Sequence, residues 1–169
     1  GLGDVYKRQG FLLALGGVGL SVQSTRLRTP KTPLKALDAI GFSILAAVAD
    51  RIVPNGDAYP SAADIDVAGK IDLLLSTMHP GVTVELQQAL KLIENPTVGL
   101  LLDGRPSPFT ASSPEAQDAT LRSWQGSHIP VRRTAYRALQ KLCTSVYWSD
   151  EKTYVLCGYP GPPNLMGGG

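Results

Sequence analysis

Five aspartates crowd the stretch ADRIVPNGDAYPSAADIDVAGKID at residues 49–72, and four of them, Asp50, Asp57, Asp64 and Asp66, are candidate ligands. Carboxylates at that density suit calcium, which takes about six to eight oxygen ligands. The EF-hand spacing is absent, however, and no closing Glu follows. Asp64 and Asp66 fall where a helix would begin, a place its dipole reserves for acids, and Arg51 is near enough to pair with a carboxylate. The residues favour a corner between two helices over a metal loop.

Ser149 and Lys152 match Ser-x-x-Lys, a nucleophile and base pair in one hydrolase group. Its companion motifs are missing, so a capping serine is the simpler reading. Gly-x-Ser-x-Gly does not occur, and a Ser-His-Asp arrangement would have to use His79 or His128, the two histidines. Both stand at helix ends beside Pro or Ser, without patterned neighbours. No Cys-x-x-Cys or Cys-x-x-Cys-His occurs, which excludes c-type haem attachment, thioredoxin-like redox chemistry and the usual zinc frameworks. Cys143 and Cys157 flank the Trp148-Ser149 turn, so two helices folding back there could join them. In an exported protein such a disulfide would add about 3 kcal/mol. Two buried free thiols are the alternative, and the sequence does not choose.

These side chains need a scaffold, and the composition supplies one. The chain has 169 residues, 43% apolar and 18% charged, with a net charge of +2. That is enough for one domain with a core. No basic cluster exceeds Arg132-Arg133, so the footprint of a nucleic-acid binder is absent.

From Pro33 onward the apolar period is helical. Thr32-Pro33 reads as a helix start, and Leu34, Leu37, Ile44, Leu45, Val48 and Ile52 form one stripe up to Pro54. Asn55-Gly56-Asp57 is turn chemistry. A second helix is expected from Asp64 to Met78, with Val67, Ile71, Leu74 and Leu75 on its inner face. A third, capped by Thr83, carries Leu86, Leu90 and Ile93 and closes at Asn95-Pro96. VGLLLDG is one or two helical turns or an extended link, and RPSPFTASSP is a loop. Ser113-Pro114 opens a helix to Gly126, Pro130 opens another through Val146, and Ser149-Asp150 caps a last one ending at Gly158. The expectation is an all-α fold: a single compact helical domain of about five or six helices over residues 32–165, with an irregular Gly/Pro-rich C-terminal tail.

Before that body, a basic pair Lys7-Arg8 precedes an apolar run from Phe11 to Leu20. The run is about half of what a bilayer span needs, and its flanks suit an export signal, so residues 10–28 read as signal and linker. The pattern is similar to a twin-arginine (Tat) signal, with Lys in place of the first Arg and one extra residue, Gly10. Residues 1–9, GLGDVYKRQ, resemble a translated sequencing adapter, and the native chain is expected to begin near Gly10.

At the other end, Tyr147, Trp148, Tyr154 and Tyr159 stand beside Pro160, Gly161, Pro162 and Pro163. Aromatic groups next to rigid prolines suit a partner face. They suit equally a tail wrapped on the domain itself.

The segment 45–75 resembles the early part of the gluconate 2-dehydrogenase subunit 3 family. Its carriers are Ala49, Asp50, Ile52 and Pro54, then Pro60, Ser61 and Ala62, then Val67, Ile71 and Asp72. Gly158–Pro163 is similar to that family's closing Gly-Tyr-x-Gly-Pro-Pro, and the Tat-like start agrees. The resemblance implies the small subunit of a periplasmic dehydrogenase complex for a sugar or polyol. In such a complex a glucose-methanol-choline (GMC) type flavoprotein large subunit carries FAD, and a cytochrome c subunit often passes electrons onward. The small subunit supports maturation, Tat export and stability of the large one, binds no cofactor and joins the membrane only through the complex. The alternatives that the residues leave open are a free-standing exported helical binding domain and a hydrolase using Ser149 or a histidine.

Overall fold

The computed structural model describes residues 24–54 and 56–158. Among them are eight α-helices, two 3₁₀ turns and no strand. The fold is all-α, and the helix count slightly exceeds five or six for local reasons that the caps explain.

Helix α1, Ala39–Ile52, is the axle of the domain. Gly41 to Leu45 and Ala47 to Ala49 are buried, so it is covered on nearly every side rather than along one stripe. It starts six residues later than Thr32-Pro33 suggested. Asp38 is its cap, accepting from the Gly41 amide at 2.6 Å, while the amides just before it are taken by another residue. Asp72, 2% exposed, accepts from the backbone N–H groups of Lys35 (2.8 Å), Ala36 (3.0 Å) and Leu37 (2.7 Å). With those amides held by a carboxylate, residues 24–38 form an extended strap instead of a helical turn. The strap is also fixed where the Arg28 amide donates to the Ser43 hydroxyl and the Arg26 amide to the Thr110 hydroxyl.

The expected second helix is cut in two. Ser61 and Asp64 form a capping box on α2, Ala62–Ile65. Asp66 then adopts a left-handed backbone, φ 58°, and α3, Val67–Leu75, restarts from it. A non-glycine residue there costs roughly 1–2 kcal/mol. Gly69 makes room for it, since a Cβ at 69 would stand 2.5 Å from the Asp66 carboxylate.

Helix α4, Pro80–Glu94, begins three residues before Thr83, because His79 accepts from the Gly81 amide through Nδ1 and Pro80 occupies the first turn. Asn95 ends α4 and caps α5, Pro96–Asp103, so VGLLLDG is helix and not a link. Inside RPSPFTASSP a 3₁₀ turn, Phe109–Ala111, drives Phe109 into the core. Ser113 caps α6, Pro114–Gln125, as its cap-and-proline signature predicts. Helix α7 runs Pro130–Trp148, and Asp150, not Ser149, caps α8, Glu151–Tyr154. A second 3₁₀ turn, Val155–Cys157, stops at Gly158, φ 64°.

Helices α2, α3, α4, α6 and α7 and the Phe109 turn all pack on α1. Ile44, Leu45 and Val48 meet Ile65, Ile71, Leu75, Leu90, Ile93, Phe109, Trp124, Leu139 and Tyr147 in one core. Each fully buried aliphatic or aromatic side chain there contributes about 1.5–3 kcal/mol.

Asp72→Ala strips three amides of their acceptor and is expected to cost about 3 kcal/mol in chemical denaturation, with Asp72→Asn costing less. A loss under about 0.5 kcal/mol for the alanine variant would show that the strap does not need this carboxylate.

Candidate functional site

The acidic loop is dispersed by the fold. Asp50 pairs with Arg28 at 2.7 Å. Asp64 serves Ser61, whose hydroxyl and amide hold its carboxyl below the usual range. Arg51 reaches across to Asp118 on α6, Nε to Oδ1 3.4 Å, rather than to a loop carboxylate. Among the described residues no three His, Cys, Asp or Glu side chains gather closely enough to hold a metal ion. The family-motif residues Asp50, Pro54, Pro60, Ala62, Val67, Ile71 and Asp72 build the corner: Ala62, Val67 and Ile71 are core, and the Pro60 carbonyl accepts from the Tyr147 hydroxyl at 2.8 Å.

The Ser149–Lys152 pair does not converge on a reaction centre. The Ser149 hydroxyl donates to the Val146 carbonyl, and Lys152 Nζ donates to the Asp64 carbonyl at 2.9 Å. Asp150 is ion-paired with Lys70, which holds its carboxyl low. His128 is exposed, and His79 is a helix cap.

Two expectations for the C-terminal region change. Cys143 and Cys157 are both free: Cys143 lies in the core on α7, and Cys157 lies exposed after α8. The turn at Ser149 directs one inward and the other outward, so neither the bond nor the pair of buried thiols describes them. Burial pushes the Cys143 thiol up to about 12. Tyr147 is no partner-face residue, since it is fully buried, meets Trp148 edge-on at 5.1 Å, and has its phenol pushed up by burial and then by Tyr59. Trp148 and Tyr154 remain partly exposed. Tyr159, Pro160, Gly161, Pro162 and Pro163 lie outside the described residues, as do residues 1–23, which hold the adapter-like leader and most of the Tat-like segment, and Asn55.

Sequence reasoning missed a set of buried polar ties around α5. Glu94 accepts from the Thr110 amide (3.0 Å) and hydroxyl (2.7 Å). Arg105, 5% exposed, donates to the Ile93 carbonyl at 2.6 Å and to the Ser107 carbonyl. Burial lowers its pKa, while Glu94 and Asp103 counter that shift. Arg132 on α7 reaches Asp103 at 2.5 Å, and the Ser123 hydroxyl donates to the same oxygen at 2.6 Å. The Arg132 guanidinium also lies 5.2 Å from the centre of the Trp124 ring. No spacing in the sequence announces these pairs; the one available signal was the pair of charged residues, Asp103 and Arg105, just after the leucine run of α5.

What the surface offers is apolar shape. Between α4 and α7 runs a groove of about 640 Å³, walled by Val82, Leu86, Leu92, Val131, Ala135 and Leu142. A second hollow, about 510 Å³, opens where the strap passes the α4–α5 junction, with Leu27, Ile40 and Pro96 on its walls and Lys91 beside them. No helix among the described residues is long and apolar enough to cross a membrane.

Comparison with known families adds one result. The family model for gluconate 2-dehydrogenase subunit 3 matches residues 41–161, which spans the helical body from α1 onward. No curated protein and no solved structure matches the chain.

Three measurements probe the buried groups. At pH 8 a thiol reagent should modify Cys157 in the native protein and Cys143 only after unfolding. The unfolded Cys143 thiol ionises near 9.0 and the native one near about 12, so its share of stability is full below pH 9 and is lost as pH rises towards 12. Cys143→Ser should therefore show a shallower alkaline loss of melting temperature than the wild type. In a double-mutant cycle, Arg132→Met and Asp103→Leu should each cost about 3 kcal/mol, and the pair should cost well below their sum.

Proposed function

Because the chain belongs to the gluconate 2-dehydrogenase subunit 3 family, we propose that it is the non-catalytic small subunit of a periplasmic GMC-type flavoprotein dehydrogenase complex. Its work is done by packing. It covers part of the catalytic subunit, supports that subunit's maturation and stability, and accompanies it through the Tat pathway. FAD belongs to the catalytic subunit, a cytochrome c subunit relays electrons in some complexes of this kind, and the membrane is reached through the complex. The observation that carries this reading is the family match along the whole helical body. The surface supports it: polar side chains that could do chemistry are spent on caps and ties, while large apolar side chains such as Leu73, Leu101 and Val131 face solvent.

One observation favours a second reading, an exported domain that binds a small ligand: the α4–α7 groove has the volume and apolar walls of a small-molecule site. A lone, stable monomer that binds a small apolar compound and ignores the dehydrogenase would select it.

Production of the catalytic subunit with and without this chain tests the first reading. Omitting the chain should lower exported, flavin-loaded dehydrogenase activity by about tenfold or more, roughly 1.4 kcal/mol or more in the apparent folding or assembly equilibrium. Equal activity without it, or dye-linked sugar oxidation by the isolated chain, would reject the proposal.

A further inference from the structure

Helix α5 is inside out. At about 100° per residue, Gly99 and Asp103 share one face a turn apart. That face is the inner one: Gly99 is buried, and the Asp103 side chain is 4% exposed. Leu100, Leu101 and Leu102 sweep the remaining arc at 47%, 77% and 46% exposure. A surface helix ordinarily turns its apolar stripe inward and its polar residues out. Here a glycine and a carboxylate face the domain and three leucines face water.

Charge holds the helix in this orientation. Gly99 lies against the buried Arg105, so closely that a Cβ would stand 2.6 Å from its Nη2. Asp103 is gripped by Arg132 and Ser123. Asn95 caps the other end, accepting from the Thr97 amide at 2.8 Å and the Val98 amide at 3.1 Å. Desolvating two arginines and an aspartate is costly, and the Nε atoms of Arg105 and Arg132 find no acceptor among the described residues. Rotating the leucines inward would stabilise an isolated domain more simply. The arrangement makes physical sense when the leucines are kept at a fixed place for something else to cover.

Beside the helix lies its complement. The strap hollow reaches the first residue of α5, Pro96, and exposes Leu27 and Ile40 at its edge, with Lys91 next to it. A protruding apolar ridge next to a largely apolar recess, whose lining also holds the exposed Lys91 and the buried, Thr110-bound Glu94, has the anatomy of an interface core. Three leucines alone fall short of the roughly 800 Å² per side that a stable complex buries, so the occupant must span ridge and recess together. That requires a folded partner and not a small ligand.

We propose that the leucine face of α5, with the hollow at its N-terminal end, is the surface on which the catalytic dehydrogenase subunit docks. The proposal rests on the reading of this chain as a dehydrogenase subunit. The partner presents an apolar recess for Leu101, an apolar side chain for the hollow and a carboxylate towards Lys91.

The test uses the tagged full chain co-produced with the catalytic subunit, comparing wild type, Leu101→Asp and, in the α4–α7 groove, Val131→Asp. Captured catalytic subunit, read by flavin absorbance and by gel, should fall tenfold or more for Leu101→Asp and stay within twofold for Val131→Asp. Because Leu101 is solvated, thermal unfolding of its variant should match the wild type. Asp103→Asn, which keeps every leucine but loosens the tie, should give an intermediate loss. Undiminished capture by Leu101→Asp overturns the proposal, and loss with Val131→Asp instead moves the interface to the groove while sparing the subunit reading. A wild-type homodimer that Leu101→Asp dissociates also overturns it, naming a second copy as the occupant. If wild type captures no catalytic subunit at all, the subunit reading itself falls, and the docking proposal with it.

Discussion

One buried carboxylate decides where this domain begins. Asp72 projects from α3 and takes the amides of Lys35, Ala36 and Leu37, which would otherwise extend α1 towards its N-terminus. An ionised acceptor makes these bonds stronger than neutral ones. The arrangement halts the helix at Asp38, aligns the strap across α3 and places Leu37 in the core. Because α1 is the element that most of the others pack on, the register of its first turn is passed on to them all. Asp72 is also the last residue of the motif that carries the family resemblance, and in this chain that position has a structural task.

Local signals in the sequence read well, and signals that depend on distant partners do not. Ser113-Pro114, Pro130, Gly158 and the Asn95-Pro96 boundary are caps and breakers whose chemistry is complete within a few residues. The false start at Thr32-Pro33 looked equally good, and only Asp72, far along the chain, overrules it. The left-handed Asp66 is legible in neither periodicity nor capping rules, since the run from Asp64 to Leu75 keeps a helical apolar period across the break. Tyr147 stood in an aromatic cluster that reads as surface, yet its ring is buried and its hydroxyl finds an acceptor in the Pro60 carbonyl, which no sequence pattern reveals. Arg105 looked like an ordinary loop residue, and its burial follows from carbonyls that converge only after α4 and α5 have turned against each other.

Polar chemistry in this protein is directed at shape. Its carboxylates and guanidiniums end helices, restrain loops and orient α5, and its apolar side chains divide between one core and several solvent-facing ridges and grooves. That division suits a subunit whose contribution is a surface. It also sets a limit on variation, because the residues that resemble chemistry, Asp50, Asp64, Asp72, Asp103 and Arg132, are structural supports.

The strap has a mechanical consequence. Residues 24–38 join the body through side-chain acceptors spaced along it: Thr110 at Arg26, Ser43 at Arg28, and then Asp72. Force applied at its N-terminal end would load these contacts one after another, like opening a zip, and not all at once as in a sheared sheet. The Thr110 contact would yield first, then the Ser43 contact with the Arg28–Asp50 ion pair and the Lys31 tie to the Ala63 carbonyl, and the threefold carboxylate grip last. Traction on that end would thus be absorbed by peeling before the axle helix feels any strain.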